Sequence, residues 1–179
     1  MPAVPYVERA DLPEAYRYLY EDNENGELNV YRALGNNPPV LQSLMRWGTT
    51  VVASSGLARP DAEVVLLATA RAVDSRYLWD LHVPLALEAG LDRSTVRAVG
   101  ERRFADLSAR HEVLAAYATA FVDRAVDAAH HEGLARHLDP RGVVGATMMA
   151  GHFLAIAHAI DALDVDPERP FVGWSLETE

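Results

Sequence analysis

The sequence predicts an all-α fold built as a single domain, and three observations carry that prediction. Apolar residues recur at helical spacing along almost the whole chain, while period-two alternation bounded by turn residues is absent. Proline falls where apolar helices begin (Pro39, Pro60, Pro140), and glycine falls where they stop (Gly56, Gly90). The connections are short and no low-complexity linker interrupts them, so 179 residues make one hydrophobic core.

The elements follow in order. Tyr16, Leu19 and Tyr20 predict a short helix over 13–22, followed by an acidic turn over 21–27. Residues 28–34 form one or two further turns, closed by Gly35-Asn36-Asn37-Pro38-Pro39. A helix runs from Pro39 to about Ser54. Another starts at Arg59-Pro60-Asp61-Ala62-Glu63 and continues to about Val73. It is apolar on nearly every side, as a helix in the middle of a bundle or at an interface is. Asp74 or Ser75 caps the next helix, which ends at Gly90. Asp92 opens a short helix to about Val99, and Ser108 opens a long amphipathic one reaching Val126. A short segment lies around 134–138, and the last long helix spans 141–163. An extended tail follows, with Phe171 and Trp174 available for docking.

Charge and composition narrow the function. With 16 Lys and Arg against 26 Asp and Glu the net charge is −10, which repels phosphate backbones and anionic lipid, so neither nucleic acid nor membrane is expected as a partner. No run reaches 18 consecutive apolar residues, and no membrane span is expected. Residues 1–11 lack a basic stretch followed by an apolar run, so no signal peptide is expected. The chain has no cysteine, which fits a reducing cytoplasm and removes disulfides, thiolate metal sites and CxxC redox pairs. Motifs for a dinucleotide or phosphate cradle, a nucleophile elbow and HExxH are also missing, so no cofactor and no metal are expected. His152 and His158 are six residues apart, which is not a one-face ligand spacing.

The informative stretch runs from Arg59 to Leu91. It holds Glu63 opening an apolar helix, then Ser75-Arg76-Tyr77-Leu78-Trp79-Asp80-Leu81-His82, then the stop Ala89-Gly90-Leu91. Read without any relative, Ser75, Leu78, Trp79 and His82 share one helix face. Two helices joined by a short loop pack side by side, so the Glu63 carboxylate and the His82 imidazole can meet in an apolar setting beside an indole. Such a pair moves protons near neutral pH. Each residue also has a plainer reading: Glu63 as a first-turn acid favoured by the helix dipole, His82 as a buried histidine, Trp79 as core, Ser75 as an N-cap. Arg71 either receives a substrate carboxylate or pairs with Asp74.

This stretch resembles the core of the carboxymuconolactone decarboxylase / alkylhydroperoxidase D-like superfamily. The resemblance extends upstream through Tyr31-Arg32-Ala33-Leu34 and Asn37-Pro38. Downstream it reaches Gly151-His152-Phe153 and Ala162-Leu163-Asp164-Val165. It divides the chain into an N-terminal extension (1–27), a helical domain (28–166) and a C-terminal tail (167–179). In the thiol-dependent branch a Cys-x-x-Cys pair opens the second helix, a histidine follows, and a glutamate on the preceding helix completes a proton relay. His82 falls on that histidine and Glu63 on that glutamate, while Ser75 and Leu78 stand where the cysteines would be. A hydroxyl and an isobutyl group cannot cycle through a disulfide, so thiol peroxidase chemistry is excluded.

The resemblance implies a cofactor-independent decarboxylase-like enzyme acting on a small carboxylated or carbonyl compound. His82 and Glu63 would be catalytic, and Trp79, Ser75, Leu78 and Arg71 would line the substrate site. It also implies a homo-oligomer, a trimer or hexamer. The alternative is a small-molecule-binding or assembly protein that has kept the fold without the chemistry.

Overall fold

The computed structural model describes residues 2–21 and 28–176; positions 22–27 of the expected acidic turn lie outside the described residues. Among the described residues nine α-helices follow one another: α1 (Tyr18–Glu21), α2 (Asn29–Leu34), α3 (Pro38–Ser54), α4 (Arg59–Ala72), α5 (Arg76–Glu88), α6 (Arg93–Gly100), α7 (Ala109–Val122), α8 (Ala128–Ala135) and α9 (Pro140–Ala162). Single 3-10 turns at Arg9–Asp11, Glu14–Tyr16 and Phe104–Asp106 complete the list, and the described residues contain no strand. The all-α expectation is met. The residues group into two compact units, 1–49 with 158–170 and 50–157 with 171–179.

In the first unit, Leu12, Leu19, Tyr20 and Leu41 form a small core against which Val7, Tyr16, Tyr31, Leu34 and Met45 pack. The Tyr20 hydroxyl lies within 3.1 Å of the Tyr31 carbonyl, and burial pushes its pKa up to about 12. The first residues are tied down. The Ala3 N–H donates to Leu163 O at 2.8 Å, Tyr6 Oη donates to Asp166 Oδ2 at 3.1 Å, and the Asn29 N–H donates to Glu168 Oε1 at 2.7 Å.

The second unit is organised by α4. Every residue from Asp61 to Ala70 is buried, and the helix packs against α5, α6 and α7. An apolar surface on all sides is satisfied only when neighbours cover all sides, as the sequence pattern implied. Side-chain caps start the surrounding helices: Ser75 accepts from Leu78 N, Asp92 from Thr95 N at 2.6 Å, Ser108 from His111 N at 3.2 Å, and Asp127 from His130 N at 3.1 Å. Two boundaries differ from expectation. Helix α7 stops at Val122, where Arg124 takes a left-handed conformation (φ 58°). The next helix begins at Asp127 in place of the segment expected near 134, because Asp127 and His130 form a reciprocal capping box.

By length and composition α9 is long and apolar enough to cross a bilayer, with a mean hydropathy of 1.6 over its most apolar window, although Thr147, His152 and His158 interrupt its apolar run. That window is 44% buried inside the protein.

The tail is strapped to the second unit. The Asp80 carboxylate accepts from Val172 N at 3.0 Å, the Trp79 indole N–H donates to Gly173 O at 3.1 Å, and Arg97 Nε donates to Ser175 O at 3.1 Å. Gly100 makes this possible. A methyl group there would lie 2.0 Å from the Trp174 carbonyl oxygen and 2.8 Å from the Trp79 ring. Gly100→Ala is therefore expected to destabilise the protein by about 1–3 kcal/mol through overpacking, seen as a lower urea midpoint.

Candidate functional site

The N-terminal half of α4 buries two carboxylates, each with its own set of partners. Glu63 is 2% exposed. Its Oε1 lies 2.8 Å from Arg59 Nη2, one turn earlier on the same helix, and its Oε2 lies 3.2 Å from His82 Nδ1 on α5. The encounter expected from two adjacent helices is present. A carboxylate opposite Nδ1 favours the tautomer with the proton on that nitrogen, which leaves the lone pair on Nε2. The His82 side chain is 15% exposed. Its ring meets Phe153 of α9 edge to face, with centroids 5.2 Å apart, and Phe153 in turn meets His152 at 5.1 Å. The imidazole therefore has a charged side and an apolar side.

Asp61, two residues before Glu63, points to a separate cluster. Arg110 donates to its Oδ2 through Nε at 2.9 Å and Nη2 at 2.7 Å, and His111 Nε2 lies 3.4 Å from Oδ1. Burial pushes this carboxyl up, but the hydrogen bonds from His111 and Arg110 and the Arg110 charge outweigh it and bring the pKa to about 2. The cluster ties the start of α4 to the start of α7.

The remaining residues chosen from the sequence have structural partners. Trp79 is fully buried, with its ring 5.1 Å from Trp174 and its N–H on Gly173 O. Ser75 is buried as the N-cap of α5, and Leu78, whose N–H it caps, is buried as well. Arg71 donates through Nε to Gly100 O at 2.7 Å, pairs with Asp74, and lies 4.5 Å above the Trp174 ring. Of the six, the structure joins Glu63 and His82 to each other. Sequence reasoning missed Arg59, although its i, i+4 spacing to Glu63 was visible. It also missed Asp61 with Arg110 and His111, which no local spacing reveals. Phe153 was read as part of a closing motif, without its contact to His82.

No group of three His, Cys, Asp or Glu side chains that could hold a metal ion occurs among the described residues. A separate open pocket of about 470 Å³ lies in the first unit between α1 and α3, lined by Tyr18, Gln42, Arg46 and Thr49 among others.

Solved structures share this arrangement of helices. The alkylhydroperoxidase AhpD core of an uncharacterized peroxidase-related protein from Ralstonia eutropha JMP134 superposes with a TM-score of 0.83 at 16% identity, over 97% of this chain and 96% of that one. The fold is alkylhydroperoxidase D-like. The debrominase Bmp8 matches it with a TM-score of 0.79 at 18% identity, over 92% of this chain and 91% of that one. A cysteine-to-alanine variant of Bmp8 in complex with 2,3,4-tribromopyrrole matches with a TM-score of 0.74 at 17% identity and the same coverage. At these identities the likeness is one of fold. Neither a family model nor a curated protein matches the sequence. The chain has no cysteine, so it holds no CxxC pair.

His152, 3% exposed, carries a pH signature. Burial pushes its pKa down from 6.5 to about 4. The unfolded chain binds this proton below pH 6.5 and the folded chain does not until about pH 4. Its contribution to stability is full above pH 6.5 and falls progressively as pH drops to about 4. His152→Phe, close in shape, is expected to flatten that part of the stability–pH curve, measured by urea unfolding at pH 7 and pH 5.

Proposed function

We propose that this protein is a cofactor-independent acid/base enzyme acting on a small carboxylated or carbonyl compound, with decarboxylation as its reaction. The observation that carries the reading is the contact of 3.2 Å between the buried Glu63 carboxylate and His82 Nδ1, which leaves the opposite ring nitrogen for chemistry. In the reaction, the bond between the departing carboxylate and its neighbouring carbon breaks. The electron pair passes into an adjacent carbonyl or lactone group, carbon dioxide leaves, and an enolate remains. The His82 imidazolium delivers its Nε2 proton to that carbon, and water restores the proton for the next turnover. Glu63 holds the ring in register and compensates the positive charge. Phe153, edge-on to the imidazole, lowers the local dielectric and strengthens that compensation.

The lack of cysteine supports this over peroxide reduction. Likeness of fold to a debrominase variant bound to 2,3,4-tribromopyrrole supports a small organic substrate. The test is carbon dioxide release from small carboxylated lactones and β-keto acids, with wild type beside His82→Ala. Wild type is expected to turn over at least one class, and the substitution is expected to lower the rate by about 10²–10⁴-fold. Full turnover by His82→Ala would sink the assignment.

Self-association belongs to the same reading. Val144 and Met148, one turn apart on α9, are 62% and 45% exposed, which favours cover by another protomer. Light scattering at micromolar concentration is expected to give a trimeric or hexameric mass, and a monomeric mass would contradict it.

A further inference from the structure

We propose that Arg59 is the specificity-determining residue of this site, receiving a carboxylate of the substrate through parallel N–H···O bonds while Glu63 holds it beside His82. The proposal rests on the acid/base reading of His82 and adds the group that selects the substrate.

The cation that sequence reasoning nominated, Arg71, is engaged by Gly100 O, Asp74 and the Trp174 ring. The Arg76 guanidinium lies 5.2 Å above the Phe171 ring, and Arg110 is held by Asp61 and His137 O. The guanidinium that touches the Glu63–His82 pair is that of Arg59. Its side chain is 48% exposed, and among the described residues its ion-pair partner is Glu63, through Nη2. A guanidinium carries five N–H donors in a planar fork, so one bond to Glu63 leaves donors for an incoming carboxylate. Lysine lacks that fork geometry.

The two oxygens of Glu63 act as a spacer. One faces Arg59 and the other faces His82, so a ligand held on Arg59 lies next to the imidazole. The charges agree. Glu63, Arg59 and a neutral His82 sum to zero, and protonation of His82 makes the group a monocation. The anchoring carboxylate by itself balances that state, and the departing carboxylate adds a second negative charge, so substrate binding and the loading of the ring with a proton favour each other. The carboxylate gripped by Arg59 is an anchor and not the departing group, because paired hydrogen bonds stabilise a carboxylate in the ground state and would oppose its loss.

The experiment is calorimetric titration of the full-length protein with benzoate and with benzamide, its neutral counterpart. Wild type is expected to bind benzoate and to prefer it to benzamide by on the order of tenfold or more. Arg59→Gln is expected to lose on the order of tenfold in benzoate affinity with benzamide unchanged, and Arg59→Lys to fall between. Glu63→Gln separates receptor from spacer. It frees the guanidinium from its internal carboxylate, so benzoate binding is expected to hold or tighten. Thermal melts identify variants that fail to fold, and Arg59→Lys then carries the comparison. Undetectable benzoate binding by wild type, benzoate affinity of Arg59→Gln within about twofold of wild type, or loss of binding in Glu63→Gln would each overturn the proposal. His82→Gln distinguishes this from failure of the reaction itself. If benzoate still binds but no carboxylated compound is turned over by wild type, the acid/base reading fails and the anion receptor stands. If turnover depends on His82 while Arg59→Gln binds benzoate normally, the reverse holds.

Discussion

A carboxylate removed from water must find donors on its open sides, and helix α4 meets that demand twice within three residues. Asp61 is held by Arg110 and His111, and Glu63 by Arg59 and His82. Residues two apart on a helix point to different sides, so the two acids recruit different neighbours. One set joins α4 to α7; the other joins α4 to α5. Removing a partner from such a buried pair leaves an uncompensated charge, and for the Asp61 set, with Arg110 partly open to water, that costs about 2–3 kcal/mol. The placement of α4 among its neighbours is therefore set by charge near its start and by apolar packing along the rest.

That division of labour defines what the site can do. The Asp61 cluster anchors, because Arg110 and His111 converge on one carboxylate held below its usual range. The Glu63 cluster leaves one edge of an imidazole and most of a guanidinium uncommitted. Two buried carboxylates thus lie two residues apart in sequence, distinguished by how much of their partners remains open.

The helix order, the starts at Pro60 and Pro140, and the cap at Ser75 were legible because proline, serine and apolar periodicity act within one turn of the chain. The Glu63–His82 contact was legible because a three-residue connection forces α4 and α5 into contact. What the sequence could not display was competition for long side chains. Arg71 by its spacing is open to a substrate carboxylate or to Asp74, yet a tail more than a hundred residues later adds Trp174 as a partner. Trp79 has both a pocket-wall and a core reading in the sequence, and the same tail gives its indole N–H a partner, the Gly173 carbonyl, that no local pattern displays. Local pattern also erred where a cap outranked hydrophobicity: the Asp127–His130 box starts α8 before the apolar residues that suggested it.

The docked tail has an optical consequence. Of the three tryptophans in the chain, Trp79 and Trp174 lie 5.1 Å apart at 65°, with Phe171 4.9 Å from Trp174. Two indoles at that separation and inclination share their electronic excitations, so the pair has a circular dichroism band that neither ring has alone. One partner belongs to a helix in the core and the other to the last described turn of the chain. The molecule therefore carries an intrinsic chromophore whose signal reports whether its end is seated, with no label attached.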